Sequence, residues 1–376
     1  MTTVPRLRRA FTLHAYWTDG DLVFENFVAR VAVSADPIAI RILTFFTEWR
    51  PRSALAAEFP DFTPSSVARA VQQLIEHTLL VEEGSEAARL SEAVATTWRD
   101  WLPHAGMHFA TKDTPFARPR RWARMARALR RADPHPPPLF KRYPHLPARD
   151  LPPPDRPEDE FLRVLLARKT HREFSRKPVA LDTLASLLRY TWGAFGTING
   201  DLGPVLHKTS PSGGARHPGE VYVAALNVKG LARGLYHYNA RDHTLECIRR
   251  GPMRRQVLSY AVGQRHLGQA SAVCFMTALF PRTMYKYRAP RAYRVVTLET
   301  GHLAQTFCLV ATWLGLAPFT TAAVVDTAIE RALGIDGVTE SIMYVAGVGM
   351  PLDVSAVRPA ASSRRRASAL RKRPTR

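Results

Sequence analysis

The chain has 376 residues, 46% of them hydrophobic and 23% charged, enough for two domains and a sizeable core. No apolar run approaches the roughly 20 residues of a membrane span, and the basic residues at 1–9 lead into no apolar signal core or small-residue cleavage site, so a cytoplasmic protein without a membrane partner is expected. The net charge of +21 is concentrated, with ten Arg or Lys against two Asp in 116–150 and eight with no acid in 356–376, which speaks for a solvated basic tail and against a nucleic-acid surface.

Residues 11–33 alternate loosely and predict one or two strands. From Pro37 the spacing of Ile38, Ile42, Leu43, Phe45 and Phe46 turns helical, and a second helix is expected over 53–59. A third is expected over 65–77. Thr63 can cap it, Pro64 suits its first position, and Val67, Ala70, Val71, Leu74 and Ile75 fall on one face. LLV at 79–81 reads as a short strand. Three helices and a hairpin in this order suggest a winged-helix-like module over residues 1–110. Helix 65–77 has Arg69 but little other basic character, which argues against base reading.

Trp98, Trp101, His108 and Phe109 read as a helix end packed on the next domain. Residues 120–131 predict a basic helix with Trp122, Met125 and Leu129 along one side. The prolines of 134–154 mark an extended linker. A basic, Pro-rich linker is therefore placed over 111–157, a second domain over 158–353, and a disordered basic tail over 354–376.

The second domain opens with a helix over 158–167, whose apolar face is Phe161, Leu162, Leu165 and Leu166. A helix over 182–190, a glycine-rich turn at 192–196 and a strand over 221–228 follow. Residues 234–238 and 245–248 look like a short hairpin beside the main sheet. A buried strand over 272–279, a long apolar helix over 293–314 and a last strand over 342–347 complete an α+β order. No Gly-x-Gly-x-x-Gly follows a strand, which argues against a Rossmann domain. Cys247, Cys274 and Cys308 stand far apart with no CxxC spacing, so buried free thiols are expected, with no disulfide and no metal site.

Two stretches hold chemistry. Arg168, Lys169, Thr170 and Arg172 put three cations and a hydroxyl within five residues. That set suits a phosphate monoester, and it equally suits an exposed cationic helix end opposite the helix dipole. HKTSPSGGARHPGE at 207–220 is small, polar and glycine-rich. Gly213 and Gly214 let the backbone approach a ligand closely, while Ser212, Arg216, His217 and Glu220 supply polar groups. Taken alone, it is also an ordinary loop before a strand.

In combination these stretches resemble the SagB-type peptide-maturation dehydrogenases, the azoline or thiazole/oxazole oxidases of the nitroreductase-like flavin superfamily. The shared pieces are RKTHREF at 168–174, KTSPSGGARHP at 208–218, GLYHY at 234–238, Lys286 and Tyr287 with RAYR at 291–294, and ETGHLAQ at 299–305. They run in the family's order across 158–352. The resemblance implies a nitroreductase-like flavin fold, FMN and a homodimer. By position, Arg168, Lys169, Thr170 and Arg172 would hold the phosphate and ribityl chain. Pro211, Ser212, Gly213 and Gly214 would line the isoalloxazine from the partner subunit, with Gln305 on the helix beneath. Thr170 stands where Ser is usual, Thr306 where Asn is expected, and the Lys-x-Arg of simple nitroreductases is absent around Gly349.

The implied reaction removes two electrons and two protons from a thiazoline or oxazoline in a ribosomally made precursor peptide. Lys286 and Tyr287 match the family's Lys–Tyr pair and stand as candidate bases, against the alternative that 284–287 is a solvated surface loop. His217, His237 and His302 are expected to be structural. The implied partner is a YcaO-type cyclodehydratase, and the N-terminal module is expected to meet that enzyme or the leader peptide. Two other readings stay open: an NAD(P)H-dependent nitro or quinone reductase, and a winged-helix binding protein with a degenerate flavin fold.

Overall fold

Strand Ala272–Leu279 is apolar along almost its whole length, and seven of its eight residues are buried. In the computed structural model, which describes residues 5–116, 119–132, 140–141, 149–152, 159–200 and 202–352, it runs through the middle of a six-stranded sheet. The order across that sheet is Thr244–Arg250, Gly234–Asn239, Gly219–Ala225, Ala272–Leu279, Glu340–Gly349 and Ala317–Thr321, with every neighbouring pair antiparallel. The segments expected to form a separate hairpin are thus the first two strands of the main sheet. Tyr222 opposite His237 and Val223 opposite Tyr236 carry that pairing. Strand Ala317–Thr321 and helices Arg254–Tyr260 and Asp326–Leu333 were not foreseen.

Alternation along the strands feeds two cores, because successive side chains leave a strand on opposite faces. Val221, Val223 and Ala225 join Leu184, Leu187, Trp192 and Phe307 on one side. Tyr222, Ala224 and Leu226 join Val257, Ile329 and Leu333 on the other. Helices Leu181–Trp192 and Ala292–Trp313 cover the first face. The second of these has 22 residues, a span of about 33 Å.

The N-terminal part is a small sheet-and-helix module. Strand Arg6–Arg9 pairs with both Arg50–Pro51 and Leu80–Glu82. Residues 11–33 hold two hairpins, with Leu13–Thr18, Asp21–Asn26 and Val31–Ser34 forming a meander. Thr63 caps helix Pro64–Glu76 by accepting from the Ser66 amide at 3.2 Å. Residues 53–59 form a tight 3-10 segment, Arg52–Glu58, instead of an α-helix. The strand after helix Pro64–Glu76 turns back to Arg6–Arg9 and forms no local hairpin.

A shared core joins this module to the second domain. Trp98 and Trp101 are fully buried among Phe280, Tyr293, Val296 and Val338. The Trp98 indole N–H donates to the Val338 carbonyl at 3.0 Å, and His108 Nδ1 lies 3.0 Å from the Tyr293 hydroxyl. Lys112 meets Glu330 at 2.5 Å with both side chains under a tenth exposed. Breaking such a buried pair from one side costs about 3–5 kcal/mol. Helix Pro119–Ala132 carries Trp122, Met125 and Leu129 on its surface, all exposed. Most of the proline-rich stretch 134–154 and the tail 354–376 lie outside the described residues.

Among the described residues, no helix is long and apolar enough to cross a membrane, and no cluster of His, Cys, Asp and Glu could hold a metal ion. All three cysteines are free. Cys274 and Cys308 are buried, but Cys247 is exposed because it sits on the sheet's outer strand.

Candidate active site

The glycine-rich loop rests on the long helix. Ser212 donates its hydroxyl to the Glu299 carboxylate and accepts from the His217 amide at 2.9 Å. Glu299 is 2% exposed. Burial raises its pKa, opposed by the hydrogen bonds from Ser212 and the Gly219 amide. His302 Nδ1 lies 3.2 Å from the Pro211 carbonyl, and the Ser210 and Thr306 hydroxyls are 2.7 Å apart. Thr306, the departure from the expected Asn, therefore ties the loop to the helix. Gln305 is exposed one residue earlier.

Gly214 has φ +61, a conformation that favours glycine. A Cβ there would stand 2.6 Å from the Tyr287 hydroxyl, 2.9 Å from Lys286 Cδ and 3.1 Å from its Nζ. A Cβ on Gly213 would overlap the Val295 side chain. The bare backbone of this loop is thus clasped between the long helix and the Lys286–Tyr287 pair. These two residues follow helix Phe280–Met284, and both their amides bond to the Thr283 carbonyl. Trp101 from the N-terminal module donates its indole N–H to the Tyr287 carbonyl at 2.8 Å. Asp100 meets Arg288 at 3.5 Å. Lys286 itself is exposed.

The cationic run is placed differently. The His171 amide donates to the Pro318 carbonyl at 2.9 Å, and the Ser175 amide to the Met350 carbonyl at 2.8 Å. Phe174 packs at a tilt against Phe319 and closes over Gly349. The backbone is therefore anchored at the far edge of the sheet. Arg168 is half-buried, and Lys169, Thr170 and Arg172 are exposed. Among the described residues no carboxylate lies within ion-pair distance of these cations, and no hydrogen bond links the run to residues 211–214. Arg168 approaches Cys308, whereas the loop meets Thr306; residues two apart on a helix face opposite ways.

A charged cluster that sequence reasoning did not assemble lies beside the loop. His237 places Nε2 3.1 Å from Glu220 and Nδ1 2.9 Å from Glu246. Its pKa rises to about 9, chiefly through the Glu220 hydrogen bond. Arg282 also bonds to Glu220. His217 is the opposite case. Burial first, then Lys208, push its pKa down to about 4, and Nε2 meets the Leu206 carbonyl at 3.0 Å. Lys208 is half-buried, and burial lowers its pKa against the opposing charges of Glu220 and Glu299. Glu220 and His237 could have been paired from strand alternation, once strands Gly219–Ala225 and Gly234–Asn239 were known to be neighbours. Arg282, far along the chain, carried no such signal.

The sheet between two helix layers, with a long helix beneath the loop, is a nitroreductase-like α+β fold. One chain of the solved Escherichia coli microcin synthetase McbBCD complex with truncated pro-MccB17 bound shares it, at TM-score 0.51 and 20% identity over 70% of this chain and 98% of that one. Residues 165–350 match the model of the Nitroreductase family. Over 182 residues the chain is 32% identical to MJ1384 of Methanocaldococcus jannaschii, named as a nitroreductase, covering 48% of this chain and 88% of that protein. The chain belongs to the nitroreductase family. It is also 36% identical over 170 residues to the trifolitoxin-processing protein TfxB of Rhizobium leguminosarum bv. trifolii, covering 44% of this chain and 46% of that relative, so it spans about half of TfxB's length. All the candidate site residues fall within 165–350, while the module that supplies Trp101 lies before it.

Proposed function

We propose that this protein is an FMN-dependent dehydrogenase that oxidises thiazolines or oxazolines to azoles in a ribosomally synthesised peptide. It would act in the cytoplasm beside a YcaO-type cyclodehydratase. The observation that carries the reading is the close packing of Lys286 and Tyr287 on the bare backbone of Gly214. Support comes from a relative named for trifolitoxin processing and from a fold neighbour solved with a pro-peptide bound.

The residues fit the cofactor. Arg168, Lys169 and Arg172 have no carboxylate partner among the described residues, which leaves them free for a phosphate dianion with the Thr170 hydroxyl as a further donor. The loop at 211–214 presents backbone where a flat ring must come close. Bound FMN supplies a two-electron acceptor. The protein supplies position and proton transfer. Azoline oxidation takes a hydride from Cβ and a proton from Cα, and the Lys286 amine and Tyr287 hydroxyl are the groups placed to take that proton. Trp101 and Asp100 hold the segment that carries them.

Within one chain the phosphate run and the glycine loop remain apart. Phe161, Leu165 and Leu166 are exposed on helix Glu160–Ala167, near an apolar groove formed with Leu309, Val310 and Trp313. A second copy covering this face would make the homodimer and bring the partner's loop to the cationic run.

The test is direct. Purified protein should be yellow and release FMN, and a cyclised peptide should lose two hydrogens per ring by mass spectrometry. Protein that turns over NADPH with nitroaromatics and never oxidises an azoline would replace this reading with a nitro or quinone reductase.

A further inference from the structure

We propose that the cavity beside the glycine loop is a carboxylate-binding subsite that takes an acidic side chain or the C-terminal carboxylate of the peptide substrate. The peptide nature of the ligand rests on the function proposed above.

The cavity is about 540 Å³, within the range of small-ligand pockets. Val205 and Leu206 from hairpin Gly196–Gly200 and Gly203–His207 give it an apolar wall. Lys208, Arg216, His237 and Arg282 give it a cationic one. Glu220 is the lining carboxylate, and Arg282 and His237 both engage it. Glu246 engages the other nitrogen of His237. Those two cations engage the acids directly, whereas Lys208 feels Glu220 and Glu299 only at longer range, and among the described residues neither Lys208 nor Arg216 has an ion-pair partner.

A further observation favours an anion as the ligand. Arg216 Nε is buried and meets no hydrogen-bond partner, although buried polar groups are almost always satisfied. His217 beside it is held neutral chiefly by burial, with the neighbouring Lys208 as the next cause. A carboxylate matches the planar guanidinium fork of Arg216 with two parallel hydrogen bonds. A single negative charge suits a cavity that still contains Glu220 better than a dianion does. The Val205 and Leu206 wall, with the Tyr285 ring, would receive an apolar neighbour on the same peptide.

The place is informative as well. Arg216 follows the 213–215 turn, and Tyr285 precedes Lys286. A carboxylate bound here would fix the peptide beside the groups proposed to act on the ring. The subsite would select which ring is presented.

The experiment is calorimetry at low salt on the flavin-loaded, full-length protein with three synthetic probes. They are acetyl-Gly-Leu-Glu-Leu-Gly-amide, its Gln counterpart, and the Gln peptide with a free C-terminal carboxylate. One of the two acidic probes should bind about tenfold tighter than the neutral one, and which one does identifies the source of the carboxylate. Arg216→Gln and Lys208→Met should each reduce that preference to about threefold or less and keep flavin absorbance. Arg241→Ala, at the exposed lip, gives a third variant that does not disturb packing and should weaken the preference about twofold. Equal binding of all three probes overturns the proposal. So does a preference that survives in the variants, stronger competition by inorganic phosphate than by the acidic probe, or loss of flavin from both the Arg216 and Lys208 variants. Binding is read without turnover. A preference in protein that oxidises no azoline keeps the subsite and sinks the catalytic reading, while active protein without a preference removes only the subsite.

Discussion

The two halves of the candidate site are built in opposite ways. Residues 210–214 are clasped by several side chains, with Pro211 left exposed. Glu299 accepts from Ser212, Thr306 meets Ser210, Val295 fills the space at Gly213, and Tyr287 and Lys286 close on Gly214. The Tyr287 segment is in turn held by a buried tryptophan from another domain. The run at 168–172 is anchored only through its backbone, and its cationic side chains have no carboxylate partner among the described residues. A group that must hold a proton-transfer geometry gains from protein contacts formed before the substrate arrives. A group that must bind a charged ligand gains from having no competing partner. The clasped half is therefore read as the chemical half, and the free half as the anchoring one.

If this division is right, mutations should separate the two halves. Lys286→Ala or Tyr287→Phe should lower the rate of azole formation by about 10²–10⁴-fold for whichever residue is the full general base. Flavin absorbance and dye reduction should persist, because neither demands deprotonation of a carbon acid. Wild-type azoline rates in both variants would remove the pair from the chemistry. Arg168→Ala with Arg172→Ala should act the other way round. It removes two charge-assisted contacts worth roughly 1.5–3 kcal/mol each, so flavin should be lost while the melting temperature of the apoprotein stays put. Unchanged flavin occupancy would break the assignment of the anchoring half.

Smaller changes sharpen the picture of the clasp. Trp101→Phe removes the indole donor from the part-buried Tyr287 carbonyl, at a cost of about 1 kcal/mol. Azoline turnover should fall with little change in flavin content. If turnover is untouched, the N-terminal module plays no part in positioning the pair. Gly214→Ala should cost about 1–2 kcal/mol for the left-handed backbone and displace Tyr287, read as a lower melting temperature together with lower turnover. A variant as stable and active as wild type would mean that the clasp is loose.

The smallest effect concerns pH. The folded-state pKa of His237 is raised to about 9, so its stabilisation is fully present below its ordinary value near 6.5 and is lost as pH rises through about 9. His237 is only partly buried, so solvent screens much of this. Thermal melts from pH 6 to pH 10 should show a decline that His237→Gln flattens. Parallel curves for the two proteins would show that the Glu220–His237–Glu246 cluster contributes nothing to folding in that range.

The sequence by itself carried what is encoded over short distances. The apolar length of 293–314 marked the long helix, the apolar run 272–279 marked the central strand, and Thr63 with Pro64 marked a helix start. The motif order over 158–352 pointed to the nitroreductase fold. These signals are local, since each is a run or a cap within one element. Tertiary structure alone decided the rest. The supposed side hairpin became two strands of the main sheet because strand Gly219–Ala225 offered it a free edge. That Trp98 and Trp101 pack on the next domain was legible in the sequence, but their partners Phe280, Tyr293 and Val338 were not. Glu220, His237 and Arg282 met only when three separate elements packed together. Long-range pairing depends on which faces and edges remain free once the local elements have formed, and a single sequence does not spell that out.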